Sequence, residues 1–208
     1  MARPRLISDE QILTTMRACV LERGAQVSLD AVAEELGVTG PALLKRFGSR
    51  QELMLRALRP PENPPFIARL DAGPDDRPLR TQLTECFTEI WDFFSEALPC
   101  VAALRESGIP HEIIFNGNSH GPLTSLRAIT RWLEAVHARG LARVSAPESV
   151  ATAMLGAIQM RAFTSHITKV KWSSRSTREY LSDLVEFFDH ALALPRAGKP
   201  PRPRSQVA

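Results

Sequence analysis

Apolar positions recur at helical spacing along almost the whole chain, and runs that alternate with a period of two are scarce. Ser8 precedes Asp9 and Glu10, a hydroxyl cap followed by two carboxylates suited to the positive end of a helix dipole. Ile12, Leu13, Met16, Cys19 and Val20 then share one face, and Gly24 ends this helix just after Arg23. Ser28 opens a short second helix with Leu29, Val32, Ala33 and Leu36 as its apolar face, stopped by Gly37. Thr39 caps a third helix over residues 40–47, with Pro41 in the first turn, where a missing N–H costs nothing. Gly48 breaks it. Ser49 caps a fourth over 50–58, with Glu52 at the capping-box position and Leu53, Met54 and Leu58 facing inward.

Residues 59–65 hold four prolines (Pro60, Pro61, Pro64 and Pro65) and cannot continue a helix, so the domain boundary is placed there. The stretch to Pro78 reads as loop. Beyond it the pattern predicts helices over about 78–98, 99–107, 122–139, 145–169 and 176–194, with one possible turn at 112–115. The predicted fold class is all-α, divided into a small domain (1–59), a larger helical domain (60–195) and a disordered basic tail (196–208).

Residues 28–47 carry the strongest functional signal. Two short helices joined at Gly37-Val38-Thr39 form a helix-turn-helix pattern. Gly37 permits the positive φ of a tight turn, Val38 is placed to plug the gap between the helices, and Ala33 is small where they cross. Leu43 and Phe47 repeat at i and i+4 on the inner face of the third helix. Its outer face is then Thr39, Gly40, Ala42, Lys45 and Arg46. Small residues at its start let backbone approach a groove. Lys45 and Arg46 can neutralise phosphate, and Arg46 alternatively reads a guanine edge. A plain αα-hairpin in a bundle is the competing reading, but it needs neither the Gly-Val-Thr turn nor the basic outer face.

Residues 8–58 resemble the DNA-binding domain of the tetracycline-repressor (TetR) family. The residues carrying the likeness are Val32-Ala33, Gly37-Val38-Thr39, the small run Gly40-Pro41-Ala42, Leu43-Leu44-Lys45-Arg46-Phe47 and Ser49-Arg50-Gln51-Glu52-Leu53. Where the family pattern has Tyr, His and Lys, this chain has Leu44, Arg46 and Arg50. The resemblance implies a three-helix helix-turn-helix domain followed by a ligand-binding and dimerisation domain. It extends the candidate DNA contacts to Ser28, Pro41, Leu44 and Arg50. It implies a double-stranded DNA operator, a homodimer and a small-molecule inducer as partners, and most simply a repressor released by an apolar ligand.

For the dimer, Leu181, Leu184, Val185, Phe188 and Leu192 form an apolar stripe, widened by Phe187, Ala191 and Leu194. Small residues Ala151, Ala153, Gly156 and Ala157 line the preceding helix. The candidate interface is Ala153, Ala157, Leu184, Phe187, Phe188 and Ala191, against the alternative of a purely intrachain core. For the inducer, the candidate lining is Cys86, Ile90, Phe94, Leu104, Phe115, Trp132, Met154 and Ile158, against ordinary core packing.

Composition narrows the alternatives. In 208 residues the net charge is +3, too small to imply nucleic acid by itself. Divided along the chain it becomes more informative: residues 1–59 hold 9 basic and 7 acidic side chains, 60–195 hold 13 and 16, and the tail holds 4 basic and none acidic. The basic excess thus sits at the two ends. The tail supports a competing reading as a non-specific, architectural DNA binder. Cys19, Cys86 and Cys100 are an odd, widely spaced set, which argues against disulfides and a cysteine zinc site. Of His111, His120, His137, His166 and His190, none forms a metalloenzyme spacing, and there is no nucleophile elbow or phosphate loop. An enzyme on a helical scaffold is therefore disfavoured, and neither cofactor nor metal is expected. His111 and His120 are placed near a possible pocket mouth. No apolar segment follows the basic N-terminus and no window is long and apolar enough to span a bilayer, so no membrane partner and a cytoplasmic location are expected.

Overall fold

Four hydroxyl side chains start the first four helices of the computed structural model, which describes residues 7–116, 121–168 and 174–193. Helix α1 is Asp9–Arg23, α2 Leu29–Glu35, α3 Gly40–Phe47 and α4 Arg50–Leu58. The oxygens of Ser8, Ser28, Thr39 and Ser49 accept from the backbone N–H three residues on, at 3.1, 3.2, 3.4 and 3.0 Å. Each satisfies one orphan donor of the first turn. At α1 the box is reciprocal, because the Gln11 carboxamide accepts from the Ser8 N–H at 2.8 Å. At α4 the carboxylate of Glu52 turns instead to Arg56, 2.8 Å away on the same face.

Two elements depart from the periodic reading. Residues expected as loop form α5, Pro65–Asp71. Pro65 occupies the first helical position, where a fixed φ and a missing N–H are no handicap, and Phe66, Ile67 and Leu70 bury on one side. The helices expected on either side of Pro99 are one continuous helix, α6, Leu79–Glu106, 28 residues long. Proline removes one intrahelical bond, but Ala97, Cys100, Ala103 and Leu104 on both sides of it are buried. Burying side chains of this kind is worth enough in sum to carry the helix through the defect.

The remaining helices are α7 (His111–Ile114), α8 (Gly121–Ala138), α9 (Pro147–Thr168) and α10 (Thr177–Leu192). All regular elements among the described residues are helices. His120, Lys169, Leu194 and the whole tail from Arg196 lie outside those residues. None of the helices described is long and apolar enough to cross a membrane.

Two hydrophobic cores result. One is built by α5, α6, α8, α9 and α10 around Phe87, Ile90, Leu133, Ile158 and Phe188. The Phe87 and Phe188 rings meet edge to face with centroids 5.7 Å apart. The other joins α1 to α4 through Ile12, Met16, Val32, Leu43, Phe47, Leu53 and Met54. It also takes in Cys100, Ala103 and Leu104 of α6, then Ile109 and Ile114. Helix α6 therefore belongs to both cores, and Pro99 falls where it passes from one to the other. Polar ties add to the junction: Arg17 to Glu96 at 3.3 Å, Ser107 to the Ala25 carbonyl at 3.4 Å, and Arg59 to the Ile113 carbonyl at 2.7 Å.

Candidate nucleic-acid interface and effector cavity

The turn between α2 and α3 is held by its own backbone. The Leu36 and Gly37 N–H groups donate to Ala33 and Glu34 at 3.1 Å each, and Val38 N–H reaches the Ala33 carbonyl at 2.9 Å. Gly37 has φ +64°, the left-handed conformation that closes the turn. Val38 tucks half-buried against the core, and Leu43 and Phe47 bury the inner face of α3. Thr39, Pro41, Ala42, Leu44 and Lys45 are left exposed on the outer face, and α3 holds no acidic residue. Ser28 is exposed beside them at the start of α2. Ser28 and Thr39 accept their capping bonds, so each hydroxyl keeps its own O–H to donate to a phosphate oxygen.

Three predicted contact residues sit elsewhere than on that face. Arg46 turns inward: it donates to the Ile7 carbonyl at 2.8 Å and pairs with Asp9, joining α3 to the start of α1. Arg50 also turns inward, donating to the carbonyls of Ala25 at 2.5 Å and Val27 at 2.9 Å. It thereby ties α4 to the α1–α2 loop. Gly40 is buried, and a methyl group in place of its hydrogen would overlap the Asp30 carboxylate. The glycine is thus a close-approach position between α2 and α3. Helical spacing gave the angular position of these residues but not which segment packs against them.

A cavity of about 260 Å³ opens where the proline-rich linker, α6 and α7 meet. Phe93, Phe94, Ala97, Leu98 and Val101 of α6 form one wall. Pro60, Pro61 and Pro64 form another, and Ile114 and Phe115 a third. Polar groups are few: Arg59, Glu62, His111, Asn116, Ser125 and Gln159. The His111 ring lies 4.6 Å from that of Phe115, and the Asn116 amide donates to the Glu62 carboxylate. Asn116 has φ +52°, which Asn tolerates better than most side chains. A mostly apolar hollow with a few convergent polar groups is the usual form of a small-molecule site.

Of the eight residues expected to line such a site, this cavity brings together Phe94 and Phe115. Cys86, Ile90, Trp132, Met154 and Ile158 are packed shut in the larger core, and Leu104 in the smaller. Burial pushes the Cys86 thiol up to about 12. The linker prolines, Arg59, Ala97, Leu98, Ser125 and Gln159 were missed. The proline run was legible, but a run of prolines reads as a spacer before it reads as a wall.

Helices α9 and α10 leave an uncovered apolar surface. Met160, Phe163, Ile167 and Phe187 are 62, 51, 58 and 64% exposed, with Ala153 and Ala191 exposed among them. Phe188, expected at the same surface, is instead 5% exposed and packs into its own chain's core. Leu184 is half-buried against that core, and Ala157 is half-buried with its carbonyl accepting from Tyr180 at 2.9 Å. Among the described residues there is no group of three or more His, Cys, Asp or Glu that could hold a metal ion.

A helix-turn-helix joined by a shared helix to a larger helical body is the arrangement of a DNA-binding regulator of transcription. Comparison with known proteins agrees. The profile of bacterial regulatory proteins of the tetR family matches residues 12–57, and that of the AefR-like transcriptional repressor C-terminal domain matches 113–191. The chain belongs to the TetR family of transcriptional regulators. It is similar to the HTH-type transcriptional repressor BdcR of Escherichia coli K12, at 30% identity over 51% of this chain and 55% of that protein. The match thus spans about half the length of that curated relative. Among solved structures, a TetR-family regulator from Mesorhizobium loti superposes with TM-score 0.64 at 14% identity, covering 89% of this chain and 96% of that one. AibR, solved with isovaleryl coenzyme A and operator DNA, gives 0.58 at 14% identity, covering 86% and 96%.

Proposed function

We propose that this chain acts as a homodimeric repressor that leaves a palindromic operator when a small apolar molecule fills its cavity. The observation that carries the reading is the outer face of α3: Thr39, Pro41, Ala42, Leu44 and Lys45, exposed together, with no acidic group in the helix. Lys45 supplies phosphate attraction and the Thr39 hydroxyl a positioning bond. Leu44, where the family pattern has a tyrosine, offers an apolar contact of the kind a thymine methyl group accepts.

The uncovered surface of α9 and α10 supports the dimer. Exposed aromatic and aliphatic side chains flanked by alanines favour close helix-to-helix contact with a second copy. Two recognition helices fixed on one rigid dimer would match two half-sites about one helical turn apart. The cavity supports the inducer, because Arg59, Pro60 and Pro61 on its wall directly follow α4 of the DNA-binding unit. A molecule wedged there would bias which arrangement of the two recognition helices prevails. BdcR is described as a repressor, and AibR binds both an acyl coenzyme A and operator DNA. Those properties are theirs, and they favour the same class of behaviour here.

The test is gel retardation of the DNA upstream of the chain's own gene. Retardation that weakens steeply with salt supports the reading. No retardation at low salt, with the dimer intact, overturns it.

A further inference from the structure

The effector cavity contains one polar feature that its packing does not explain. Arg59 caps the C-terminal end of α4 in an extended conformation, and one terminal nitrogen of its guanidinium donates to the Ile113 carbonyl at 2.7 Å. Its Nε is buried and has no hydrogen-bond partner. That nitrogen is closed off from the hollow, so an acceptor entering there would meet the terminal nitrogens of a guanidinium that the protein leaves short of partners. On the cavity side of Arg59 the walls are apolar, with Pro60, Pro61, Phe93, Ala97 and Phe115, while an adjoining hollow that Arg59 also lines carries Glu89, Asp92 and Glu96. The acidic residue lining the cavity, Glu62, is already held by the Asn116 amide.

We infer that the cavity selects an amphipathic monocarboxylate, an apolar body seated against α6 and the linker prolines with its carboxylate received by Arg59. This rests on the reading of the cavity as the effector site and names the chemistry of the effector. A guanidinium edge binds a carboxylate in a planar, charge-assisted pair that a neutral carbonyl cannot equal. The hollow, at about 260 Å³, suits a ligand of modest size rather than a nucleotide conjugate. Placement gives the pair a second consequence. Arg59 is the residue that ends α4, and α4 packs on α1 within the DNA-binding unit. A ligand that draws on this guanidinium pulls directly on the helix behind the recognition helix, and it competes with the Ile113 carbonyl for the same side chain.

The experiment titrates the full-length chain, by calorimetry at neutral pH, with straight-chain carboxylates of six to ten carbons and with the matching amides. The expected result is a carboxylate preference of at least tenfold at the best length. Arg59→Met, which keeps an unbranched apolar stem, should bring the carboxylate down to the level of its amide, and Arg59→Lys should restore part of the preference. Equal binding of carboxylate and amide, a preference that survives in R59M, or no binding by any member of the series would each overturn the inference. Gel retardation is run on the same samples. Retained DNA binding with no carboxylate preference sinks this inference alone, whereas absence of DNA binding sinks the regulatory reading beneath it.

Discussion

Arg46 and Asp9 form an ion pair that closes the third helix onto the first, with the Ile7 carbonyl accepting a further bond from the same guanidinium at 2.8 Å. The side chain of Arg46 is 21% exposed and that of Asp9 54%, so the pair is screened on one side only. This arginine holds the recognition helix in place. Replacing it by methionine should cost about 1 kcal/mol in urea unfolding, in line with a half-exposed ion pair plus one charged hydrogen bond. Asp9→Asn should cost less, and the double variant should be less destabilised than the two single effects added together. Strict additivity would show that the pair contributes nothing.

Lys45 is the exposed cation of the same helix, one residue away and on the outward face. Lys45→Ala is expected to weaken binding to all DNA sequences alike and to lower the slope of log affinity against log salt by about 1. A loss confined to one base pair of the operator would instead assign Lys45 to base reading. Arg46→Met should leave that slope unchanged, which separates the two neighbours in one titration series.

Phe187 and Phe188 are adjacent in sequence and opposite in environment, one 64% and the other 5% exposed. Phe187→Asp should leave the monomer folded and shift sedimentation equilibrium toward single chains. Phe188→Asp should unfold the larger core, because a carboxylate would be buried against Phe87. A folded, dimeric F187D variant would move the interface away from α10.

The positions of both phenylalanines on α10 were legible in the sequence, but which of them its own chain leaves uncovered was not. A stripe this wide fixes the helix and its apolar side without deciding how much its own chain covers. The DNA-binding unit was more readable. Ser8, Ser28, Thr39 and Ser49 cap where their chemistry says they should, and Gly37 adopts the positive φ its turn requires. Those are local rules, satisfied within four residues. The inward turn of Arg46 and Arg50 was not legible, because their partners, Ile7, Ala25 and Val27, lie 23 to 39 residues away. The cavity was hardest to foresee. One of its walls, Phe93 to Val101 of α6, runs straight through Pro99, which depends on burial outweighing a local preference.

The three cysteines should be poor nucleophiles in the folded chain. All are buried, and burial raises each thiol above its ordinary value, Cys86 up to about 12. The thiolate is the reactive form, and burial disfavours it at each of the three sites. A disulfide reagent should label the native protein only as fast as it opens, and all three sites at once in denaturant. The linkage runs one way. Stability from the neutral thiols is intact below the unfolded value of about 8.5 and is lost as pH rises from there toward the folded values. Immediate labelling of one native cysteine at neutral pH would show that its burial is not maintained in solution.

Selection from a random duplex library, followed by native mass spectrometry of the recovered complex, tests most directly whether α3 reads DNA as part of a dimer. The expected outcome is an inverted repeat with half-sites about one helical turn apart, bound by two chains, and the same repeat recovered with weaker binding by Lys45→Ala. Recovery of no preferred sequence by an intact dimer, or of a single half-site bound by one chain, would contradict it.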